Sequence, residues 1–242
     1  MTGHRERAAC VVLDIEGTTS ATGYVVEVLY PYSRARFGAL LTERADHPEV
    51  RRAVAAVRAE LGEPAAGPAR IEAVLAGWLA EDRKATPLKS LQGLLWSEGF
   101  ARGELVAHFY PDVPPALRRW RAAGLDLHVY SSGSVAAQRA WFGHAAGGSL
   151  LELVGRCYDT ENAGPKLEAD SYRRIADDLG LPGERILFLS DRAGELDAAR
   201  AAGWRAVGVR RPGEPHYRAG VGDHPAVRDF SALTVRPPAV VG

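Results

Sequence analysis

The chain has 242 residues, 46% of them hydrophobic and 25% charged, and its 30 basic and 30 acidic residues leave no formal net charge. That length suits one large domain or a core carrying a smaller one, and the balanced charge gives no electrostatic footprint for nucleic acid or a membrane surface. No apolar run approaches a bilayer-spanning length, "MTGHRERAACVVLD" lacks the apolar centre of a signal peptide, and two cysteines at no metal-like spacing, Cys10 and Cys157, read as incidental thiols of a cytoplasmic protein.

In chain order, "AACVVLDI" (8–15) is a continuous apolar run of strand length, the pattern of a strand buried on both faces. From Tyr24 to Trp96 the texture becomes helical. "VVEVLYPYSRARFGALLTER", "PEVRRAVAAVRAELG" and "ARIEAVLAGWLAEDRK" are amphipathic, "GEPAAGPA" (62–69) breaks two of them apart, and "TPLKSLQGLLWSEGFARGEL" continues in helix with no convincing strand. After this insert, strands and helices alternate. "PALRRWRAAG" is a helix ended by Gly124, "LDLHVYSS" a strand, and "SVAAQRAWFGH" a helix capped by Ser134. "RCYDT" is a short strand, "LEADSYRRIADDLG" a helix ended by Gly180, "RILFLSD" a strand, "GELDAARAAG" a helix ended by Gly203, and "RAVGVRR" a strand. The tail from Pro212 predicts little. Alternation with short links predicts an α/β fold, a parallel sheet with helices on both faces, interrupted after its first strand by a helical domain. The expected boundaries are 1–20 with 105–242 for the core and 21–104 for the insert.

Ligands of such sheets sit beyond the carboxyl ends of the strands. Those ends carry Asp14-Ile15-Glu16-Gly17-Thr18, Ser131-Ser132-Gly133, and Ser190-Asp191 with Glu195 four residues on. Lys166 stands at the expected start of a helix. It is one of only three lysines, with Lys84 and Lys89, among 30 basic residues, which points to positions where a compact ammonium is needed. Carboxylates, hydroxyls and one ammonium at one edge make little sense as packing and good sense for phosphate chemistry with a divalent cation. Asp14, already ionised at neutral pH, can attack phosphorus and give an acyl phosphate that water hydrolyses. Mg²⁺ held by Asp14 and Asp191 would relieve the repulsion between carboxylate and phosphate. Lys166 would stabilise the shifting charge, and Ser131 or Ser132 would hold phosphate oxygens. Glu16, two residues on in extended geometry, falls on the same side and can serve as acid and then base. Taken singly, each is also an ordinary cap, turn or solvated residue. In the insert, Lys89 and Gln92 share a helical face as candidate substrate contacts, with Lys84 a further one, while Trp96 reads as core; in the α/β part His144 reads as structural.

These residues resemble the four motifs of the haloacid dehalogenase superfamily: Asp14 with an acid at the second position and Thr at the fourth, the strand-end Ser, the lone Lys, and the late acidic pair. "DIEGTT" with Glu at the second position, "YPY", "DRKATPLKSLQGLLW", "FYPDVPPALRRW", "YSSGSVAAQRAWFGH", "PKLEADSYRRIA" and "LFLSDRAGELDAA" are similar to the enolase-phosphatases, also called acireductone synthases, of methionine salvage. The resemblance runs from Asp14 to about Gly208. It implies a cap domain in the insert, one Mg²⁺ per subunit, and action on a small phosphorylated diketone; a monomer is expected because the sequence shows no oligomer surface. In this family's scheme Asp14, Glu16 (through its backbone carbonyl), Asp191 and a supporting Glu195 form the metal site. Asp14, Glu16 and Lys166 are catalytic, and Ser131, Ser132 and Lys166 bind substrate. The implied reaction enolises 2,3-diketo-5-methylthiopentyl-1-phosphate, with Glu16 a candidate base, and then hydrolyses its phosphate to acireductone. A phosphatase of the same superfamily without an enolase step is the alternative, and a fold-only binding protein, a phosphotransferase or a dehalogenase fits the residues less well. Ala21 and Thr22 stand where the family pattern carries Pro-Ile.

Overall fold

Two short parallel strands at the chain ends, β1 (His4–Arg7) and, near the C-terminus, Leu233–Arg236, pair with each other apart from the main sheet. The protein is described here by a computed structural model covering residues 3–83 and 85–238. It divides into two units, Met1–Gly23 with Val106–Gly242, and Tyr24–Leu105.

The α/β unit is built on β2 (Cys10–Leu13), whose four residues are all buried, as a strand covered on both faces requires. Cys10 and Val12 join one apolar cluster, and alternation turns Val11 and Leu13 to the other face. The chain passes through α1 (Thr22–Tyr24), a π-helical turn (Val25–Leu29), α2 (Tyr30–Arg34), α3 (Phe37–Glu43), α4 (Pro48–Leu61), α5 (Pro68–Ala80) and α6 (Thr86–Ala101) before the α/β pattern resumes. It then forms α7 (Val113–Ala122), β3 (Asp126–Tyr130), α8 (Val135–Gly143), β4 (Cys157–Tyr158), α9 (Ala169–Leu179), β5 (Ile186–Ser190), α10 (Ala193–Ala201), β6 (Arg205–Val209), β7 (Ala226–Val227) and β8 (Leu233–Arg236).

The six-stranded sheet runs β4-β3-β2-β5-β6-β7, every pair parallel. β2 is followed on one side by β3 and β4. The chain then returns to β5 on the other side, so the order reverses at β2, where such sheets open a crevice. Local chemistry matches the sequence at the cap of α8, where Ser134 Oγ accepts the Ala137 N–H, and at the end of α9, where Gly180 takes a left-handed conformation. Where the structure departs from expectation is the tail: it supplies an edge strand, β7, and the partner of β1, both too short for any periodicity to register.

In the helical unit, Pro48 and Pro68 open α4 and α5 at a position where a missing N–H costs nothing, and Gly62 ends α4 in the left-handed region. Phe37, Val57, Ile71, Leu75, Leu88 and Leu91 form its core. Trp96 is half-buried, its indole N–H donating to Ser33 Oγ (2.7 Å) and the Leu29 carbonyl (3.2 Å). No helix among the described residues is long and apolar enough to cross a membrane. Burial pushes both thiols out of their reactive range, Cys10 up to about 12 and Cys157 to about 11, as inert core groups.

Candidate active site

Beyond the end of β2 the chain turns sharply, because the Ile15 carbonyl accepts the N–H groups of Thr18, Thr19 and Ser20 (3.2, 3.0 and 2.9 Å). This tight loop keeps Asp14 buried while leaving Glu16 half-exposed. Gly17 is required at its tip. It sits at φ +70°, and a Cβ there would fall 2.2 Å from Asp191 Oδ2. The turn therefore brings the ends of β2 and β5 closer than any larger residue allows.

Lys166 ties the site together. Its Nζ lies 2.6 Å from Asp14 Oδ1 and 2.6 Å from Glu195 Oε2, with all three side chains at least nine-tenths buried. It does not begin a helix, as the sequence suggests. It lies in a turn three residues before α9, because two buried tyrosines seize the backbone around it. Tyr130 donates to the Gly164 carbonyl (2.7 Å), and Tyr172 donates to Lys166's own carbonyl (2.9 Å). Both rings belong to an edge-to-face aromatic cluster with Phe188, and the ammonium stands 5.7 Å from the Tyr130 ring and 5.9 Å from Phe188. Tyr130 and Tyr172 escaped the sequence reading because at strand and helix spacing they register simply as core.

The remaining contacts fix the carboxylates. Thr18 Oγ1 donates to Asp14 Oδ2 (3.1 Å), so both Asp14 oxygens are held. Ser190 Oγ donates to Glu195 Oε2 (2.8 Å), and Arg192 Nε stands 3.9 Å from Glu195 Oε1, so Glu195 is held by Lys166, Ser190 and Arg192. Asp191 differs: both its carboxylate oxygens are buried without a hydrogen-bond partner. One ammonium thus faces three buried carboxylates, with Glu16 near by. Burial, reinforced for each by neighbouring carboxylates, lifts Asp14 to about 7 and Asp191 to about 8. Lys166 is held above the ordinary lysine range: burial alone would lower it, and Asp14 and Glu195 outweigh that.

Asp14, Glu16, Ser131, Ser132, Lys166, Asp191 and Glu195 line a single cavity of about 300 Å³, so the structure brings seven of the nine expected site residues together. Thr160, Leu167, Arg192 and His216 line it too; isolated loop residues of this kind carry no sequence signal. Lys89 and Gln92 lie on α6 of the helical unit, where Gln92 is buried with its Nε2 unpartnered. Lys84 lies outside the described residues. His144 is occupied structurally, with Nδ1 2.8 Å from the Ala140 carbonyl.

The donor set fits a small divalent cation. Asp191 offers two orphaned oxygens, the local charge is negative in excess, and the hard oxygen ligands are those Mg²⁺ prefers. Among the described residues no three His, Cys, Asp or Glu side chains converge on one ion position. Mg²⁺ does not need them, since it takes one or two carboxylates and completes its shell with water, carbonyl and phosphate oxygens.

Comparison with known proteins agrees with this chemistry. A family model described as haloacid dehalogenase-like hydrolase matches residues 8–203. "Enolase-phosphatase E1" of Streptomyces avermitilis is 72% identical over 225 residues, 93% of this chain and 94% of that one. The protein of the same name from Frankia alni is 51% identical, over 97% of this chain and 99% of that one. Among solved structures, the UTR4 protein of Saccharomyces cerevisiae superposes with a TM-score of 0.76 at 28% identity, covering 93% of this chain and 99% of that one. CbbY of Rhodobacter sphaeroides, with a TM-score of 0.58 at 20% identity over 94% of this chain and 97% of that one, shares the fold.

Proposed function

Because the chain belongs to the haloacid dehalogenase-like hydrolases and, within them, to the enolase-phosphatases, we propose that it enolises 2,3-diketo-5-methylthiopentyl-1-phosphate and then hydrolyses the phosphate to give acireductone in methionine salvage. The observation that carries this reading is the buried Asp14–Lys166–Glu195 set beside an unpartnered Asp191 in a cavity of substrate size.

In the first stage a base takes a proton from C1, the C–H electron pair becomes the C1–C2 double bond, and the C2 oxygen takes a proton from solvent. Glu16 suits the first role. Its carboxylate makes no hydrogen bond or ion pair with another described side chain, and it lines the cavity two residues from Asp14. The phosphate ester oxygen is also on C1, so the carboxylate that removes this proton is then placed to give one to the leaving oxygen. In the second stage Asp14 attacks phosphorus, the P–O bond to C1 breaks, and an aspartyl phosphate forms. Glu16, deprotonated by that transfer, takes a proton from the water that releases phosphate and restores Asp14. Lys166 and Thr18 orient Asp14 for in-line attack. Ser131 and Ser132 hold phosphate oxygens at the end of β3. Glu195, through its contacts with Lys166 and Ser190, sets the ammonium in place and so supports the metal site indirectly.

Hydrolases of this family depend on Mg²⁺ in general. We assign one ion to Asp14, Asp191 and the Glu16 carbonyl, where it would supply positive charge to the phosphoryl oxygens and to a developing enolate. The helical unit would act as the cap, with Lys89 and Gln92 touching substrate; the buried, unpartnered Gln92 amide is a donor in need of an acceptor. We read the chain as a cytoplasmic monomer.

The test is to follow the ultraviolet spectrum of fresh diketo phosphate with protein and excess Mg²⁺ while assaying phosphate. Enol absorbance and phosphate, both abolished in Asp14→Asn, are expected. Phosphate from generic esters with no enol from the diketone would reduce the reading to a phosphatase without an enolase step.

A further inference from the structure

The segment after β6 contains two residues that no motif assigns: Arg211 bonds the reactive loop, and Glu214 bonds the chain on either side of the helical unit. Arg211 is 4% exposed. Its Nε donates to the Thr18 carbonyl (3.0 Å) and its Nη1 to Asp112 Oδ1 (2.7 Å), while its guanidinium stands 4.3 Å from the Tyr110 ring. Asp112 is fixed in turn, accepting the Phe230 N–H at Oδ2 (2.7 Å). Three residues on, each carboxylate oxygen of Glu214 takes one donor: Oε2 the Thr22 N–H (3.1 Å) and Oε1 the Tyr110 hydroxyl (2.5 Å). Two residues further, His216 reaches the cavity.

These partners lie on the two passages of the chain between the units. Residues 17–23 lead out of the α/β unit and residues 106–112 lead back into it. The passages are themselves joined: the Tyr110 N–H donates to the Thr19 carbonyl (3.1 Å), Ser20 Oγ to the His108 carbonyl (2.7 Å), and the Ala21 N–H to His108 Nδ1 (3.2 Å). The outgoing passage also carries the reactive loop. Thr18, whose carbonyl Arg211 holds, is the residue whose hydroxyl holds Asp14. A chain of direct contacts therefore runs from Asp112 through Arg211 and Thr18 to Asp14, and a second joins both passages at Glu214.

Packing alone does not explain Arg211. Its Nη2 is buried with no partner, so the guanidinium is left partly unsatisfied in a place where an apolar side chain of similar volume would be cheaper. What a buried Arg adds is a rigid fork with donors in two fixed directions, here one toward the reactive loop and one toward the returning passage.

We propose that Arg211 and Glu214 are positioning residues of the reaction: Arg211 orients Asp14 through Thr18, and Glu214 holds the two passages in register with the reactive loop. The proposal rests on the enolase-phosphatase reading. Its test uses the full chain with Mg²⁺, two phosphate esters (the diketo phosphate and p-nitrophenyl phosphate), thermal unfolding and amide hydrogen exchange. Lysine carries its N–H groups on one nitrogen and lacks the planar fork that aims Nε and Nη1 in two fixed directions, so Arg211→Lys should lower kcat about tenfold on both esters while KM moves less than twofold. Glu214→Gln leaves one acceptor oxygen for two donors. It should raise exchange at the Thr22 amide at least tenfold and lower kcat on the diketo phosphate, at temperatures where the variant is fully folded. Tyr110→Phe should leave the Thr22 amide protected, which separates the two bonds of Glu214; if Arg211→Lys does not fold, Asp112→Asn, which weakens the anchor of Arg211 Nη1, takes its place with the same expected loss of kcat at little change in KM. Wild-type turnover with kcat within twofold in both Arg211→Lys and Glu214→Gln overturns the positioning claim alone, as do losses that only mirror the unfolded fraction. No phosphate release by the wild-type chain from either ester overturns the functional reading, and the positioning claim with it.

Discussion

In the helical unit, Arg36 meets Glu104 (3.0 Å) and Arg70 meets Glu63 (2.8 Å) at the surface, while the interior is Phe37, Ile71, Leu75 and Leu91. At the strand ends of the α/β unit the arrangement is inverted: Asp14, Asp191 and Glu195 are buried around the single ammonium of Lys166. Exposed pairs contribute little to stability and ask little of the fold. Buried carboxylates in excess are costly to maintain and persist where chemistry needs them. Solubility and folding explain the first pattern; only a reaction explains the second.

The sharpest way to break that comparison is Asp14→Asn. If the buried cluster exists for chemistry, kcat should fall roughly 10³-fold or more while thermal stability holds, since Lys166 keeps Glu195 and one buried charge disappears. A large loss of stability with residual activity would make the cluster a structural feature after all. In the helical unit the reverse is expected. Leu91→Ala, at a fully buried position, should cost about 2–5 kcal/mol in denaturant unfolding.

Acidity gives the next effect, at most a few kcal/mol. In the metal-free protein Asp14 and Asp191 hold their protons up to about 7 and about 8, whereas in the unfolded chain they lose them near their ordinary value of about 4. Their contribution is complete below that value and is lost as pH rises through 7 and 8. Stability of the metal-free protein should therefore fall progressively as pH rises from about 4 to about 8 and level off above that, and Mg²⁺, which favours the ionised carboxylates, should cancel the fall. His128 has the opposite sign. Burial lowers it to about 4, and its Nδ1 accepts the Arg156 N–H (3.0 Å). Its contribution is complete above about 6.5 and disappears as pH drops toward 4. Unfolding followed from pH 4 to 9, with and without Mg²⁺ and in Asp191→Asn, separates the two limbs. The smallest effect belongs to the surface pairs: Arg70→Ala should change stability by less than about 1 kcal/mol, and 1 M salt should remove even that difference.

Much of this contrast was readable before any coordinates. The Ser134 cap, the Gly62 and Gly180 stops and the fully apolar β2 are local features, each decided by a few neighbouring residues. So were the chemical types at the strand ends. Lys166 reads as the start of a helix but lies three residues ahead of it, because its position depends on Tyr130 and Tyr172, 36 residues and 6 residues away, whose hydroxyls hold the backbone on either side of Pro165. The tail carries no periodic signal, yet it completes two sheets, supplies Arg211 to the loop beside Asp14 and supplies Glu214 to Thr22 and Tyr110.

The sequence by itself determined which groups are present and which elements carry them, because helix periodicity, caps and apolar runs act over a few residues and are written in their order. The tertiary structure decided which groups meet. Asp14, Lys166 and Glu195 come together because β5 returns to the open side of β2 and the turn at Gly17 admits Asp191 at a distance no Cβ would permit. Such proximity depends on sheet order and close packing between distant segments, and the energetic cost of the uneven charge it creates exists only once water has been excluded from between them.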